Sequence, residues 1–215
     1  MLAINTAFMT ANLALEGANG VVFRDIDAKS KHSENVLKTI DEMCQELSID
    51  IKDVDSVAVV VGPGSFTGLR ISASIAQALG CVNKGLKFVA LSSLELMSYI
   101  IVKNKLASQN FVCAINALSN LYFVCRFDKN GIKLCDEKMI EKQEFDSIDL
   151  PKFALLGDLK GDDLAFVEIS CEDLYAFAKH KVGQNCFVKQ EDLMPVYLRL
   201  SQAEDNLLKK SKKDW

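Results

Sequence analysis

Residues 62–70 (GPGSFTGLR) carry the residue types best suited to binding a small ligand. Gly62 and Gly64 allow backbone conformations that other residues avoid, and Ser65 or Thr67 can cap a following helix. Because the free N–H groups of a helix N-terminus attract anions, Gly62, Gly64, Ser65 and Thr67 are candidate phosphate or nucleotide contacts. No Gly-Lys-Ser/Thr follows, so the lysine of a P-loop is missing. The alternative interpretation is a tight structural turn.

A row of small residues follows the loop. Gly68, Ser72, Ala76 and Gly80 recur every four residues, which places them on one stripe of a predicted helix. Such a stripe lets a second helix approach closely, and Ala76→Arg is then expected to block association while the chain stays folded. The alternative is that the stripe packs against the chain's own sheet.

The rest of the sequence offers few residues for catalysis. The two histidines are His32 and His180, and they form no His-x-x-x-His or His-Glu-x-x-His metal motif. No Gly-x-Ser-x-Gly elbow supports a serine nucleophile, which argues against a protease. The seven cysteines form no Cys-x-x-Cys pair and mostly lie in apolar segments, which predicts free, buried thiols. We predict no catalytic residue, metal or cofactor.

Charge and hydropathy indicate the setting in which the chain works. The net charge of −4 makes it a poor RNA binder by itself, because phosphates need clustered Lys and Arg. The N-terminus lacks the basic region of a signal peptide, and no apolar stretch is long enough to span a bilayer. We therefore expect a cytoplasmic protein that reaches nucleic acid only through a partner.

The periodicity of apolar residues predicts two similar α/β halves. In the first half, strands are predicted at 2–5, 11–16, 21–26, 56–61 and 87–91, and helices at 34–48 (with Ser33 as N-cap), 66–80 and 93–102. In the second half, strands are predicted at 111–116, 121–127, 132–139, 153–156 and 165–169, and a helix at 171–182. A polar stretch at 103–110 suggests lobes of 1–104 and 105–215. The basic residues 208–213 are expected to be a solvated end.

The loop and its flanking elements resemble the TsaB (YeaZ) family. The resemblance is densest at 57–79 (VAVVVGPGSFTGLRISASIAQAL), and it extends to 1–7 (MLAINTA), His32-Ser33, 50–55 (DIKDVD) and 195–199 (PVYLR). It implies a two-lobed, actin-like ATPase (ASKHA) superfold of ribonuclease-H-like lobes. It also implies a non-catalytic subunit that supports TsaD, which transfers threonylcarbamoyl to the tRNA adenosine next to the anticodon. The ATPase TsaE is the further partner in bacteria.

In that family the first two helices form a helix bundle with TsaD or with a second copy of the chain. The resemblance therefore implies a partner-binding set on the predicted helices. It consists of His32, Ser33, Val36, Leu37, Ile40, Met43 and Cys44 in the first helix, and of Phe66, Gly68, Leu69, Arg70, Ser72, Ala76 and Gly80 in the second.

Two positions depart from the family pattern. Asn5 stands where the family often has Asp, and Asn116 stands at the start of its Asp-Ala-Arg element. An amide attracts Mg²⁺ more weakly than a carboxylate does. Both changes argue against the alternative function, a small ATP-binding kinase or ATPase of the same superfold.

Overall fold

The first half of the chain forms a five-stranded sheet in the computed structural model, which describes residues 1–27, 32–161 and 163–195. Its strands are β1 (Leu2–Asn5), β2 (Thr10–Gly17), β3 (Gly20–Asp27), β4 (Ser56–Gly62) and β5 (Lys87–Ser92). Their spatial order is β3-β2-β1-β4-β5, with β1, β2 and β3 antiparallel and β4 and β5 parallel to β1. The helices of this half are α1 (His32–Leu47), α2 (Phe66–Val82) and α3 (Ser93–Lys103).

The second half repeats this strand arrangement. Its strands are β6 (Phe111–Asn116), β7 (Leu121–Phe127), β8 (Lys138–Glu141), β9 (Lys152–Leu155) and β10 (Leu164–Val167), in the order β10-β9-β6-β7-β8. An antiparallel β6-β7-β8 meander again precedes two strands parallel to its first one. The helices α4 (Lys142–Asp146) and α5 (Cys171–Gly183) complete the half.

The sheets and helices stack in layers that bury three apolar clusters. One cluster lies between the first sheet and α1 and α2. A central cluster joins both sheets through α3 and α5, with Leu94, Phe111 and Leu174 fully buried. The third cluster lies between the second sheet and α4. Because β4 is buried along its whole length, its nearly continuous apolar sequence is that of a strand covered on both faces.

Serine residues fix where three helices begin. Ser65 Oγ accepts a hydrogen bond from Gly68 N at the start of α2, Ser92 Oγ accepts from Leu94 N and Glu95 N at α3, and Ser170 Oγ accepts from Asp173 N at α5. Each bond satisfies an amide that has no partner within its helix. The predicted starts of all three helices are confirmed.

The structure corrects several predicted elements. The helix α1 already includes Ser33, so Ser33 is not the residue that precedes it. Of the predicted strand 132–139, only an isolated bridge between Phe127 and Lys133 and the start of β8 form. The pattern did not reveal the short helix α4. The lobe boundary at 104/105 stays a prediction, and α5 packs on the first sheet although it follows the second.

Candidate functional site

The loop between β4 and α2 packs against the end of β1. Gly62 has a φ of +131°, which favours glycine, and the Gly62–Pro63 peptide is cis. A Cβ on Gly64 would lie 2.8 Å from Ala7 O, and Ser65 N donates a hydrogen bond of 2.8 Å to the same oxygen. The loop therefore uses its glycines for close contact between backbones, as the structural-turn alternative expects.

The first turn of α2 is fastened to the same segment. Thr6 Oγ1 donates a hydrogen bond of 2.6 Å to Gly68 O, and a Cβ on Gly68 would lie 1.8 Å from Thr6 O. Gly68 N is already bonded to Ser65 Oγ, and Leu69 N to Ser65 O. Two amides at this helix start thus have acceptors inside the chain. Anion contact by Gly62, Gly64, Ser65 and Thr67 stays a prediction.

Asn5 lies in a polar row that crosses the first sheet. Its Nδ2 donates to Asn12 Oδ1 at 2.8 Å, and its Oδ1 accepts from Ala7 N at 3.1 Å. Asn12 Nδ2 donates in turn to Asp25 Oδ1 at 2.8 Å. The Cys171 thiol, at the start of α5, donates to the same Asp25 oxygen at 2.8 Å. Burial raises the pKa of Cys171 to about 12, and its hydrogen bond to Asp25 adds to the shift, so the thiol stays protonated.

This polar row surrounds position 5, where the family often has an aspartate that could attract Mg²⁺. Asn5 is fully buried, and both groups of its amide have partners within the protein. Asn12, Asp25 and Cys171 were not singled out from the sequence. The sequence does indicate that Asn12 and Asp25 are neighbours, because a hairpin turn at 17–20 places these two residues directly opposite each other on β2 and β3.

Asn116 lies at the equivalent strand end of the second sheet and also has internal partners. Its backbone N donates to Asp158 Oδ2 at 2.7 Å, its Nδ2 donates to Asp158 O at 3.2 Å, and its Oδ1 accepts from Leu118 N at 2.8 Å. Burial raises the pKa of Asp158, and the hydrogen bond from Asn116 opposes that shift only in part. The amide therefore ties two loops together.

The small-residue stripe of α2 packs inside the chain. Gly68, Ser72, Ala76 and Gly80 are all buried. Ser72 Oγ lies 3.4 Å from Val60 O of β4, and a Cβ on Gly80 would lie 2.6 Å from the Phe88 ring of β5. The stripe therefore packs against the chain's own sheet, which was the alternative to partner binding in the sequence analysis. Since Ala76 is fully buried, Ala76→Arg would disrupt the fold, so it cannot test association as expected.

The apolar stripe of α1 likewise faces its own sheet. Four residues of this stripe are at most 6% exposed and belong to the cluster beneath α1 and α2: Val36, Ile40, Met43 and Cys44. Leu69 on α2 is 2% exposed and belongs to the central cluster. Side chains buried in the core do not contact a partner, so we remove these five residues and the stripe of α2 from the proposed contact surface. Of the predicted set, His32 and Ser33 have side chains outside the described residues.

What remains is the outward side of α1 and α2, which we call the outer helix surface. It consists of Leu37 on α1 and of Phe66, Thr67, Arg70 and Ser74 on α2. Leu37 is 56% exposed. The Arg70 guanidinium carbon lies 3.9 Å from the centroid of the Phe66 ring, a cation–π contact that holds both side chains over the first turn of α2.

Chemistry elsewhere in the described residues is sparse. No group of three His, Cys, Asp or Glu side chains among them could hold a metal ion. His180 packs its ring 5.9 Å from that of Tyr99, near the end of α5. No helix in the described part of the chain is both long and apolar enough to cross a membrane.

Two sheets of identical topology, joined by central helices, define a two-lobed actin-like ATPase fold of ribonuclease-H-like units. Two solved structures share it. One is titled an uncharacterized protein with similarity to peptidase YEAZ from Pseudomonas aeruginosa (TM-score 0.75), and the other YeaZ from Pseudomonas aeruginosa (TM-score 0.73). Each is 20% identical and covers 92% of this chain and 98% of its own. The predicted fold class is confirmed.

Sequence comparison assigns the family. Residues 12–168 match the family described as TsaD, tRNA N6-adenosine threonylcarbamoyltransferase. The tRNA threonylcarbamoyladenosine biosynthesis protein TsaB of Haemophilus influenzae is 32% identical over 124 residues, which are 57% of this chain and 52% of that protein. The chain thus spans about half the length of the curated relatives it matches. The chain belongs to the family that this model describes, and its similarity to TsaB relatives and to YeaZ structures confirms the predicted resemblance to TsaB (YeaZ).

Proposed function

We propose that this chain is a non-catalytic subunit of tRNA threonylcarbamoyladenosine biosynthesis in the cytoplasm. It supports a TsaD homologue, which transfers threonylcarbamoyl to the adenosine next to the anticodon, and a TsaE-type ATPase joins the complex. The chain contacts tRNA only through the complex and forms a homodimer when alone. Family membership and the names of the TsaB relatives support the pathway.

The observation that carries the non-catalytic role is the bonding of Asn5. Nucleotide chemistry at this strand end needs an acid that is free to position a metal ion and phosphate. Here Asn5 has its amide bonded to Asn12 and to Ala7 N, in a site closed to solvent. The amide of Asn116 is also bonded internally. Both strand ends therefore serve packing within the chain.

The outer helix surface is the proposed contact with the TsaD homologue or with a second copy. It presents an exposed leucine and a fixed Phe66–Arg70 pair on helices held against the sheet. Aromatic and arginine side chains with little freedom to lose make efficient contacts. Leu37, Phe66 and Arg70 are kept from the predicted partner-binding set, and the exposed Thr67 and Ser74 are added from the structure.

Reconstitution tests the role. The TsaD homologue, the TsaE-type ATPase, Mg²⁺-ATP, an activated threonylcarbamoyl donor and unmodified tRNA are combined with and without this chain. Modified adenosine is then measured by mass spectrometry of tRNA digests. We expect modification only when the chain is present, and none with the chain alone. Full modification in its absence would refute the proposed support of TsaD.

Paired surface variants test the contact. Leu37→Glu places a charge on the outer helix surface, whereas Leu106→Glu changes a leucine of similar exposure, 50%, outside it. Loss of a central apolar contact costs about 2 kcal/mol, so Leu37→Glu should weaken binding of the TsaD homologue about 30-fold in calorimetry. Ser74→Arg should act likewise. Equal binding by the Leu37 and Leu106 variants would place the interface elsewhere.

A further inference from the structure

Three cysteines lie on or beside the strands β6 and β7 of the second sheet. Cys113 on β6 is the register partner of Cys125 on β7. Beyond β7, the chain turns at residues 128–131 and returns past the same strand, with Phe127 opposite Lys133 and Leu134 N bonded to Arg126 O at 2.8 Å. Cys135 follows two residues after this bridge. All three side chains belong to, or pack on, the central cluster.

The side chains of Cys125 and Cys135 each contact the backbone beside the other cysteine. The Cys125 thiol donates to Cys135 O at 3.2 Å, and Arg126 N donates to Cys135 Sγ at 3.4 Å. The bridge at Phe127 and Lys133 and the pairing of Val124 with Lys138 differ in register by two residues, so the chain bulges around Cys135 beside Cys125. A disulfide needs two cysteines that lie side by side, and the two contacts hold Cys125 and Cys135 in that way.

The two cysteines differ in access. Cys135 is partly exposed, whereas Cys125 is fully buried. Burial raises the pKa of Cys125 to about 12, and the neighbouring Cys135 contributes to the shift. Cys135 is therefore the sulfur that a solvent reagent meets first, and Cys125 lies beside it to complete a bond.

The geometry points to Cys125 and Cys135 as a reversible dithiol–disulfide site that reacts with small disulfides such as oxidised glutathione. Cys135 loses its proton to solvent, attacks one glutathione sulfur and expels one glutathione thiolate. Cys125 then loses its proton, attacks the Cys135 sulfur and expels the second glutathione as thiolate. Two protein thiols are oxidised, one glutathione disulfide is reduced, and the two released protons balance the two glutathione thiols that form.

Peptide mapping tests this site in the full chain. A Cys81→Ser/Cys186→Ser background removes the two exposed thiols, and the protein is incubated with oxidised glutathione, acid-quenched, denatured and alkylated. Trypsin cuts after Arg126, Lys129 and Lys133, so Cys125 and Cys135 fall on separate peptides unless a disulfide joins them. We expect the joined peptides, their loss on adding dithiothreitol, and their absence in Cys125→Ser and Cys135→Ser variants.

Cys113 supplies the matched control. Cys113 and Cys125 share one tryptic peptide, so a bond between them would lower the mass of that peptide by two hydrogen atoms. Because that pair is wholly buried, Cys113→Ser should leave the 125–135 link unchanged. A 113–125 bond would overturn the assignment. So would recovery of Cys125 and Cys135 as unlinked alkylated thiols, under conditions that glutathionylate Cys81 and Cys186 in the unmodified chain.

Discussion

Replacing Gly68 by alanine tests whether the small-residue stripe packs within the chain. The added Cβ would lie 1.8 Å from Thr6 O, whereas ordinary contacts begin at 3.4 Å, so the backbones must separate by about 1.6 Å. The obstacle is a backbone oxygen, which cannot move aside as the end of a side chain can. Separation also breaks the 2.6 Å hydrogen bond from Thr6 Oγ1 to Gly68 O.

The expected cost follows from these two losses. Overpacking a well-packed site costs about 1–3 kcal/mol, and the lost hydrogen bond adds about 1 kcal/mol. We therefore expect Gly68→Ala to lower the free energy of unfolding by about 3 kcal/mol. For a chain of this size, that corresponds to a fall in Tm of about 6–12 °C. Urea denaturation followed by circular dichroism measures the free energy, and a thermal scan gives the Tm.

Two other helical glycines provide graded controls. A Cβ on Gly80 would meet the ends of the Phe88 and Gln190 side chains at 2.6 and 2.7 Å, which can move, so Gly80→Ala should cost less than Gly68→Ala. A Cβ on Gly183 would meet nothing within 4 Å. Gly183→Ala should be neutral or should stabilise the chain by up to about 1 kcal/mol. If Gly68→Ala were as stable as the wild type but failed to bind its partner, the stripe would belong to the interface after all.

Two further substitutions test the polar sites at the strand ends. Asn5→Asp removes the donor to Asn12 and buries a charge, so it should destabilise the chain by about 3–5 kcal/mol in urea denaturation at neutral pH; unchanged stability together with tight Mg²⁺-ATP binding in calorimetry would revive a nucleotide site. Asp158→Asn tests the raised pKa of Asp158. Because the folded protein raises this pKa, the carboxyl favours folding while it is protonated, and this contribution to stability is lost as the pH rises through the pKa of the folded state. The variant retains an acceptor for Asn116 N, so it should be more stable than the wild type at pH 7, and the difference should shrink in acid; a difference independent of pH would contradict this assignment.

Local patterns predicted most of the fold. Continuous apolar residues identified β4, helical spacing identified α1 and α2, and serine caps set helix starts, because each of these signals lies within one element. The predicted strand 132–139 was wrong because the segment has no partner strand along most of its length, although Ile132, Lys133 and Leu134 alternate between apolar and polar residues. Pairing depends on the neighbouring strand as well as on the segment itself, so the residues of the segment alone could not reveal where pairing stops.

The candidate site shows the same division between local and distant information. The sequence identified the stripe of α2 correctly, but the stripe is compatible with packing on a partner or on the chain's own sheet. Thr6, which lies against the start of the stripe, is 62 residues away from Gly68 in sequence, and Phe88, beside Gly80, lies on another element, β5. The row Asn5–Asn12–Asp25 also depends on the register of three strands, and its last member, Cys171, comes from the end of the second half.

Internal packing of α2 also bears on how its outer side would bind. The helix is held at its start by Thr6 and near its end by Gln190, whose Nε2 donates to Gln77 O at 2.8 Å, while Gln77 Nε2 donates to Leu193 O at 3.1 Å. A surface held this way loses little conformational freedom on binding. Variants of the outer helix surface should therefore change affinity at constant Tm, whereas Gly68→Ala should lower both. Affinity that stays at the wild-type value in a Gly68→Ala protein whose Tm has fallen would show that binding does not depend on how firmly α2 is held.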